Sequence, residues 1–376
     1  MQKRLLSKQI AADLSKKMVL LSGPRQSGKT TLARAMLPGG KRAAETRYLN
    51  WDDDESRTRI LQGAFPHQGM IVFDELHKYG RWRNLVKGLY DREHGGGGEG
   101  LQILVTGSAR LDLYRRGGDS LQGRYHHLRL YPLSLKEADC QLKDLLALGP
   151  FPEPLLGGSL VEAKRWSRQY RSRLVREDVA DLERVTEMGA IESLSIRLPA
   201  LIGSPLSLNG LREDLQVAHK TVERWLDIFE RLMFIFRLDP FGPPRIKAVK
   251  KSRKHYLFEW LAIEDEGARF ENLVAFHLLK ECHYLEDTEG RDMELRFFRD
   301  VEGREVDFVQ LEDKKPIRFV ECKLSDTTIS PALLYLRRKF PQVPALQVIA
   351  KSNVDRIGQE GVRLVSADRF LAELAI

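Results

Sequence analysis

Eight consecutive residues, Gly23-Pro24-Arg25-Gln26-Ser27-Gly28-Lys29-Thr30, carry the spacing G-x-x-x-x-G-K-T, and Thr31 follows them. Each residue type has a use in holding a polyphosphate. Glycines let backbone N–H groups turn inward around phosphate oxygens, a lysine reaches the β- and γ-phosphates, and a threonine hydroxyl ligates Mg2+. Gly23 to Thr31 are therefore the candidate contacts for ATP, with Lys29 on the phosphates and Thr30 on the metal. Arg25 is the weakest phosphate contact of the set.

The loop needs a strand before it and a helix after it. MVLLSG (18–23) is apolar enough for a buried strand, and TTLARAML reads as a helix, whose N-terminus adds positive potential at the phosphates. A second apolar run, Met70–Phe73, ends in Asp74 and Glu75. In an open α/β sheet ligands bind at the carboxyl ends of the strands, so both acids are expected beside the phosphates. Asp74 is expected to hold Mg2+, directly or through water, and Glu75 to polarise the attacking water. Two acids can also simply cap a strand; the loop upstream favours the chemical reading. The run LQILVTGS (101–108) ends in Thr106 and Ser108. Either hydroxyl can sense the γ-phosphate or orient water, and either can be an ordinary strand cap. Arg124 follows a stretch rich in Gly and Ser. It can neutralise transition-state charge, on its own or a neighbouring subunit's nucleotide, or be a plain surface arginine.

A second set lies near the C-terminus. Asp307 sits in 304–311, and Glu321 and Lys323 sit in 316–324. Strand residues two apart share a face, so Glu321 and Lys323 point the same way. If the two runs pair as a hairpin, Asp307 joins them and Val306, Phe308, Val320 and Cys322 form the opposite, buried face. Two carboxylates and a lysine on one face can bind a second Mg2+ or Mn2+ and activate water against a phosphodiester. A solvated face with ordinary ion pairs is the alternative.

Basic residues cluster twice: Lys164, Arg165, Arg168, Arg171, Arg173 and Arg176, and then Arg245, Lys247, Lys250, Lys251, Arg253 and Lys254. Both runs can neutralise DNA phosphates or be solvated faces. Residues 209–238 read as helix, tight turn, helix and strand, with Val222, Trp225, Leu226, Phe229 and Leu232 as the apolar stripe of the second helix. That order is a winged-helix arrangement. The exposed positions of the helix, His219, Lys220, Glu223, Arg224 and Asp227, mix signs and make a poor base-reading surface. DNA binding by backbone or structure is thus favoured over sequence recognition.

The chain has 376 residues, 42% hydrophobic and 30% charged, a balance that excludes disordered and fibrous proteins. Its net charge of +8 permits a nucleic-acid partner without demanding one. Three cysteines at unrelated spacing argue against a disulfide framework and for a reducing, cytoplasmic setting. No apolar run reaches membrane length and no secretory leader is expected. Breaker-rich stretches at 94–100, 149–158 and 239–245 mark a surface loop, a linker or extended crossing segment, and a further boundary.

Taken in order, GPRQSGKT, YLNWDDD, IVFDELH, LVTGSARL, LQGRY and YPLSLKE resemble a bacterial and archaeal group of AAA-type ATPases. The resemblance continues through TVERWLDIFERL, GARFENLV, REVDFV and FVECK into a C-terminal region known as a domain of unknown function. One departure is HYLFEW (255–260), where Glu259 stands at a position at which an Asp is usual. The resemblance implies an α/β chain in three parts. These are an AAA-type P-loop ATPase core (1–148), a linker with a helical, winged-helix domain (149–244), and a nuclease-like α/β domain (245–376). Asp307 and Glu321-x-Lys323 resemble the PD-(D/E)xK nuclease core, and Glu271 matches that superfamily's accessory acid. The expected activity is Mg2+-dependent ATP hydrolysis in a homo-oligomer that acts on DNA, branched or structured DNA included. The alternatives are a nucleotide-dependent switch that binds a protein partner, with a silent nuclease-like domain, and an ATP-dependent metal nuclease.

Overall fold

Apolar runs bounded by turn residues become the strands of the first of two units into which the chain packs, Met1–Pro132 and Leu133–Ile376. The structure, a computed structural model, describes residues 4–39, 45–94, 100–108, 121–179, 187–242 and 253–376. In the first unit the described elements are α1 (Leu6–Leu14), β1 (Met18–Ser22), α2 (Lys29–Met36), β2 (Tyr48–Asn50), α3 (Asp54–Gln62), β3 (Met70–Asp74), α4 (Trp82–His94), β4 (Gln102–Thr106) and β5 (Tyr125–Arg129). They form one parallel sheet in the order β2-β3-β4-β1-β5. β1 and β3 are buried at every residue, as parallel strands covered on both faces must be. Each large aliphatic or aromatic side chain so buried contributes about 1.5–3 kcal/mol of hydrophobic stabilisation. The register sets the loops after β1, β3 and β4 along one edge: the Gly107 amide donates to Leu21 O at 3.2 Å, and the Glu75 amide to Thr106 O at 3.0 Å.

The sequence did not suggest β5. Its residues, Tyr125-His126-His127-Leu128-Arg129, hold one buried side chain, Leu128, and take their place by pairing with β1 along the sheet edge. Helices α1 and α3 were likewise unexpected.

The second unit opens with α5 (Leu135–Ala138), α6 (Leu142–Leu148), α7 (Pro152–Gly157), α8 (Leu160–Arg173), α9 (Met188–Arg197), α10 (Leu208–Leu215) and α11 (His219–Arg231). The stretch 149–158, expected as a linker or extended segment, is instead packed and largely helical. Pro152 starts α7, where a missing N–H costs nothing, and Gly149 and Gly158 take φ of 76° and 68° on either side. After α11 an antiparallel ribbon follows, β6 (Ile235–Leu238) with β7 (Lys254–Leu257). Val222, Trp225, Leu226 and Phe229 of α11 are fully buried, so that stripe is core. The rest is α12 (Glu266–Glu289), β8 (Met293–Arg299), β9 (Glu305–Glu312), β10 (Lys315–Lys323), α13 (Pro331–Lys339), β11 (Ala345–Ile349), β12 (Asp355–Ile357), β13 (Arg363–Ser366) and α14 (Ala367–Glu373). Its six strands lie in the order β12-β13-β11-β10-β9-β8. Most of the loop 94–100 and the basic residues Arg245, Lys247, Lys250 and Lys251 lie outside the described residues.

His255, on β7, is fully buried and its Nε2 lies 2.9 Å from Leu198 O. Burial lowers its pKa from 6.5 to about 4. A lowered histidine contributes stability that is present above pH 6.5 and is lost as pH falls toward 4. From pH 7.5 to 5 the wild type should therefore lose about 2 kcal/mol relative to His255→Phe. Urea unfolding of both chains at the two pH values reads the difference.

Candidate functional site

The phosphate loop is built by contacts that its motif alone does not reveal. Gly28 takes a φ of 94° at the start of α2, a left-handed backbone that glycine adopts at little cost. At Gly23 a Cβ would stand 2.2 Å from Leu130 O. Backbone cannot yield as a side-chain tip can, and overpacking of this kind costs about 1–3 kcal/mol. Gly23→Ala is expected to weaken nucleotide binding roughly ten- to hundredfold, measured by titration with a fluorescent ADP analogue. Buried Arg4 ties the loop down, donating from Nη1 to Ser27 O at 2.9 Å and from Nη2 to Tyr131 O.

The structure brings Lys29, Thr30 and Asp74 together. Lys29, buried, donates from Nζ to Gly23 O at 3.0 Å and to Pro24 O at 2.6 Å. Its ammonium thus rests on the carbonyls of the loop that would wrap a phosphate. Thr30 Oγ1 donates to Asp74 Oδ2 at 2.7 Å. Asp74 is buried at the end of β3 and also accepts from the Tyr48 and Thr106 hydroxyls and, at 3.1 Å, from the Glu75 amide. Burial, with Asp74 beside it, raises the Tyr48 pKa and keeps that phenol a donor. Ser27 Oγ is buried with no hydrogen-bond partner among the described residues, as expected of a group whose partner is a ligand. A hydroxyl, a carboxylate and an ammonium around an orphan donor fit a nucleotide with Mg2+.

Glu75 follows in a left-handed conformation, φ 54° and ψ 20°, rare for a non-glycine residue and of the kind that clusters at functional sites. Burial raises its pKa, against the lowering effect of Lys29 and Lys78. His77 was missed by the sequence reading. Its buried Nε2 lies 3.7 Å from Glu75 Oε2 and 3.5 Å from Ser108 Oγ, between the two candidates. The signal was present, as a polar residue just beyond the two acids. Tyr48 and Thr106 also hold Asp74, so Thr106 acts on the acid and Ser108 on His77.

Arg124 is not brought to this site. It stands just before β5, whose Tyr125 pairs with Met18, whereas the phosphate loop follows Ser22 at the other end of β1. That is roughly 13 Å along the strand. Its guanidinium forks onto Asp91, at 2.6 and 3.2 Å. In this arrangement it faces Asp91 and not the phosphate loop.

The C-terminal set does assemble. Val320 pairs with Phe308, which sets Glu321 across from Asp307 and Lys323 across from Glu305 on one face of β9 and β10. Val306, Phe308 and Val320 are fully buried as expected, whereas Cys322 is half-buried. Its thiol is pushed up by burial, away from nucleophilic use. Asp307 Oδ2 accepts from the Cys322 amide at 2.8 Å, and Lys323 Nζ lies 2.9 Å from Glu321 Oε1. Burial, then Glu271 and Glu321, raise Asp307 well above the usual carboxylate range. A cleft of about 480 Å³ borders Glu271 and Lys323.

A correction follows for the expected second metal. Lys254, which the sequence placed in an exposed basic run, is completely buried, with Nζ 2.5 Å from Glu305, 3.5 Å from Glu271 and 3.8 Å from Asp307. Burial works against its charge, and the carboxylates overcome this and raise its pKa. A divalent ion would need the same carboxylate oxygens that this ammonium already pairs with, so these residues as arranged do not fit one. Among the described residues no group of three acids, histidines or cysteines is arranged to hold a metal. Glu259, the departure noted above, is buried and accepts from Ser167 Oγ at 2.6 Å and the Leu261 amide at 2.5 Å; it is structural.

No described helix is long and apolar enough to cross a membrane. Residues 140–259 and 266–370 match two domains of unknown function, DUF8612 and DUF4143. An uncharacterized protein of Mycobacterium tuberculosis is 26% identical over 374 residues, covering 90% of this chain and 82% of that protein. One of Methanocaldococcus jannaschii is 24% identical, covering 71% and 68%. Among solved structures, Aeropyrum pernix ORC1 in complex with DNA is 15% identical, with a TM-score of 0.34 over 73% of this chain and 94% of that one. A Thermotoga maritima RuvB mutant is 18% identical, with a TM-score of 0.29 over 66% and 89%. Overlap that shallow carries no weight for what this chain binds. Residues 15–138 match the family model of an AAA domain; with the parallel sheet and the loop geometry above, this segment is similar to the P-loop core of AAA-type ATPases.

Proposed function

We propose that the chain hydrolyses ATP at Lys29, Thr30, Asp74 and Glu75 and uses the cycle to act on DNA. The reading divides the chain into an ATPase core (1–148), a helical, winged-helix segment (149–244) and a nuclease-like segment (245–376). The observation that carries it is the Thr30–Asp74 contact, which unites residues 44 positions apart at the mouth of the phosphate loop. Mg2+, held by Thr30 and Asp74, would supply neutralisation of phosphate charge. Lys29 leaves its loop carbonyls for the β- and γ-phosphates. Glu75 takes the proton of the attacking water; the new bond is to the γ-phosphorus, and the bond to the ADP oxygen breaks. His77 orients Glu75 and, through Ser108, links it to the end of β4. From its place beside Asp91, Arg124 would serve the nucleotide of a neighbouring copy, a role that requires a homo-oligomer.

Two features support DNA as the partner. Lys164 and Arg168 stand exposed on α8 with no ion pair among the described residues, one turn apart, and Arg171 continues their face. Helices α10 and α11 followed by the β6–β7 ribbon have the order of a winged helix. Because Lys254 lies among the acids, the nuclease-like segment is read as a binding module and not a cutting one. Binding to duplex, branched and single-stranded DNA across a salt series tests the DNA role. Affinity that falls steeply with salt and weakens in Lys164→Ala/Arg168→Ala is expected. No binding at low salt, with a protein partner recovered instead, would favour the nucleotide-dependent switch.

A further inference from the structure

Lys254 is the first residue of β7, and its backbone is held on two sides, by Leu238 of β6 and by a bridge to Pro205. Strand pairing therefore fixes its backbone, and ion pairs hold its ammonium. The side chain runs inward past the Phe297 ring, at 5.5 Å, to the acids. Around its ammonium stand Glu305 and Asp307 from β9 and Glu271 from α12. Glu271 is fixed in turn by the Tyr256 hydroxyl, at 2.7 Å. Glu321, opposite Asp307, is buried, and its Oε2 has no partner among the described residues. The cluster thus has the acids of a metal-dependent phosphodiesterase and one more cation than such a site can use.

We propose that the Lys254 ammonium is a tethered substitute for a divalent ion, which pairs with Glu271, Glu305 and Asp307 and closes the carboxylate site to metal. A metal ion shared by Glu271 and Asp307 would sit within a few ångströms of a fixed positive charge and would have to displace it from a fully paired, buried position. A buried ammonium surrounded by three carboxylates is not given up to solvent cheaply. The site therefore keeps the shape of a phosphodiester-cleaving centre, and the adjoining cleft, without the metal on which cleavage depends. This inference stands on the second unit alone, and failure of the ATPase reading would leave it untouched.

Mn2+ uptake by the nucleotide-free full chain, read from the electron paramagnetic resonance of the free ion, tests it. Wild type and Asp307→Asn are expected to bind the same number of ions, because Asp307 is already engaged by Lys254. Lys254→Met is expected to gain one ion per chain, bound at least tenfold more tightly than any wild-type site, and Lys254→Met/Asp307→Asn to lose it again. A wild-type ion that Asp307→Asn removes would overturn the proposal. So would a folded Lys254→Met chain, checked by circular dichroism, that gains none. If removing the lysine unfolds the protein, the comparison of wild type with Asp307→Asn decides the matter alone.

Discussion

Glu75→Gln should bind ATP as well as the wild type and release phosphate roughly a hundred- to ten-thousandfold more slowly, the range expected for a lost general base. Three observations make this the sharpest substitution. Glu75 is fixed in a left-handed conformation directly after Asp74. It lies near Lys29, whose charge affects its ionisation, and its pKa is raised by burial. The amide keeps the shape and removes the proton acceptor, so binding should survive. The raised pKa adds a pH signature. Only the ionised carboxylate accepts a proton, so the wild-type rate should fall as pH drops through a value above that of an ordinary glutamate. Glu75→Gln should lack that limb. A steady-state phosphate-release profile from pH 5 to 8, alongside nucleotide titrations, separates the two effects. Equal rates in the two chains would remove Glu75 from the chemistry.

Lys29→Ala should have the second large effect, through binding as well as turnover. In the structure the ammonium is buried and satisfied by the Gly23 and Pro24 carbonyls. Exchanging those for phosphate oxygens turns neutral acceptors into charged ones, and hydrogen bonds to charged groups are worth about 1.5–3 kcal/mol. Nucleotide affinity should therefore drop roughly ten- to hundredfold, and turnover should fall below detection. Lys29→Met keeps the aliphatic stem and separates packing from charge. Both variants should melt close to the wild type without nucleotide if the loss is one of charge.

What the sequence made legible was local. The phosphate loop, the Asp74–Glu75 pair and the strands that carry them were readable because the chemistry, the turn and the burial all lie within a few residues. The D…ExK face was readable for the same reason, since strand alternation needs only neighbours. What it hid depends on partners distant in the chain. Tyr48 and Thr106 reach Asp74 from two other strands, and Arg4 reaches Ser27 from the N-terminal end. Arg124 was read only as a residue after a Gly- and Ser-rich stretch because the polar strand β5 that follows has one buried side chain and gave no strand signal; the register with β1 puts it at the far end of that strand. Lys254 misled most. Among Lys250, Lys251, Arg253 and Lys254 it reads as one more surface cation, and only the pairing of β7 with β6 turns it inward toward the acids. The helix at 152–157 was hidden by its own prolines and glycines, which here start and stop a helix where a linker was expected.

The most direct measurement is phosphate release by the full wild-type chain in Mg2+-ATP, with and without branched DNA, beside Lys29→Ala. The account predicts turnover in the wild type, an increase on adding DNA, and none in the variant. Wild-type phosphate release that Lys29→Ala matches, or no release under any of these conditions, would contradict it.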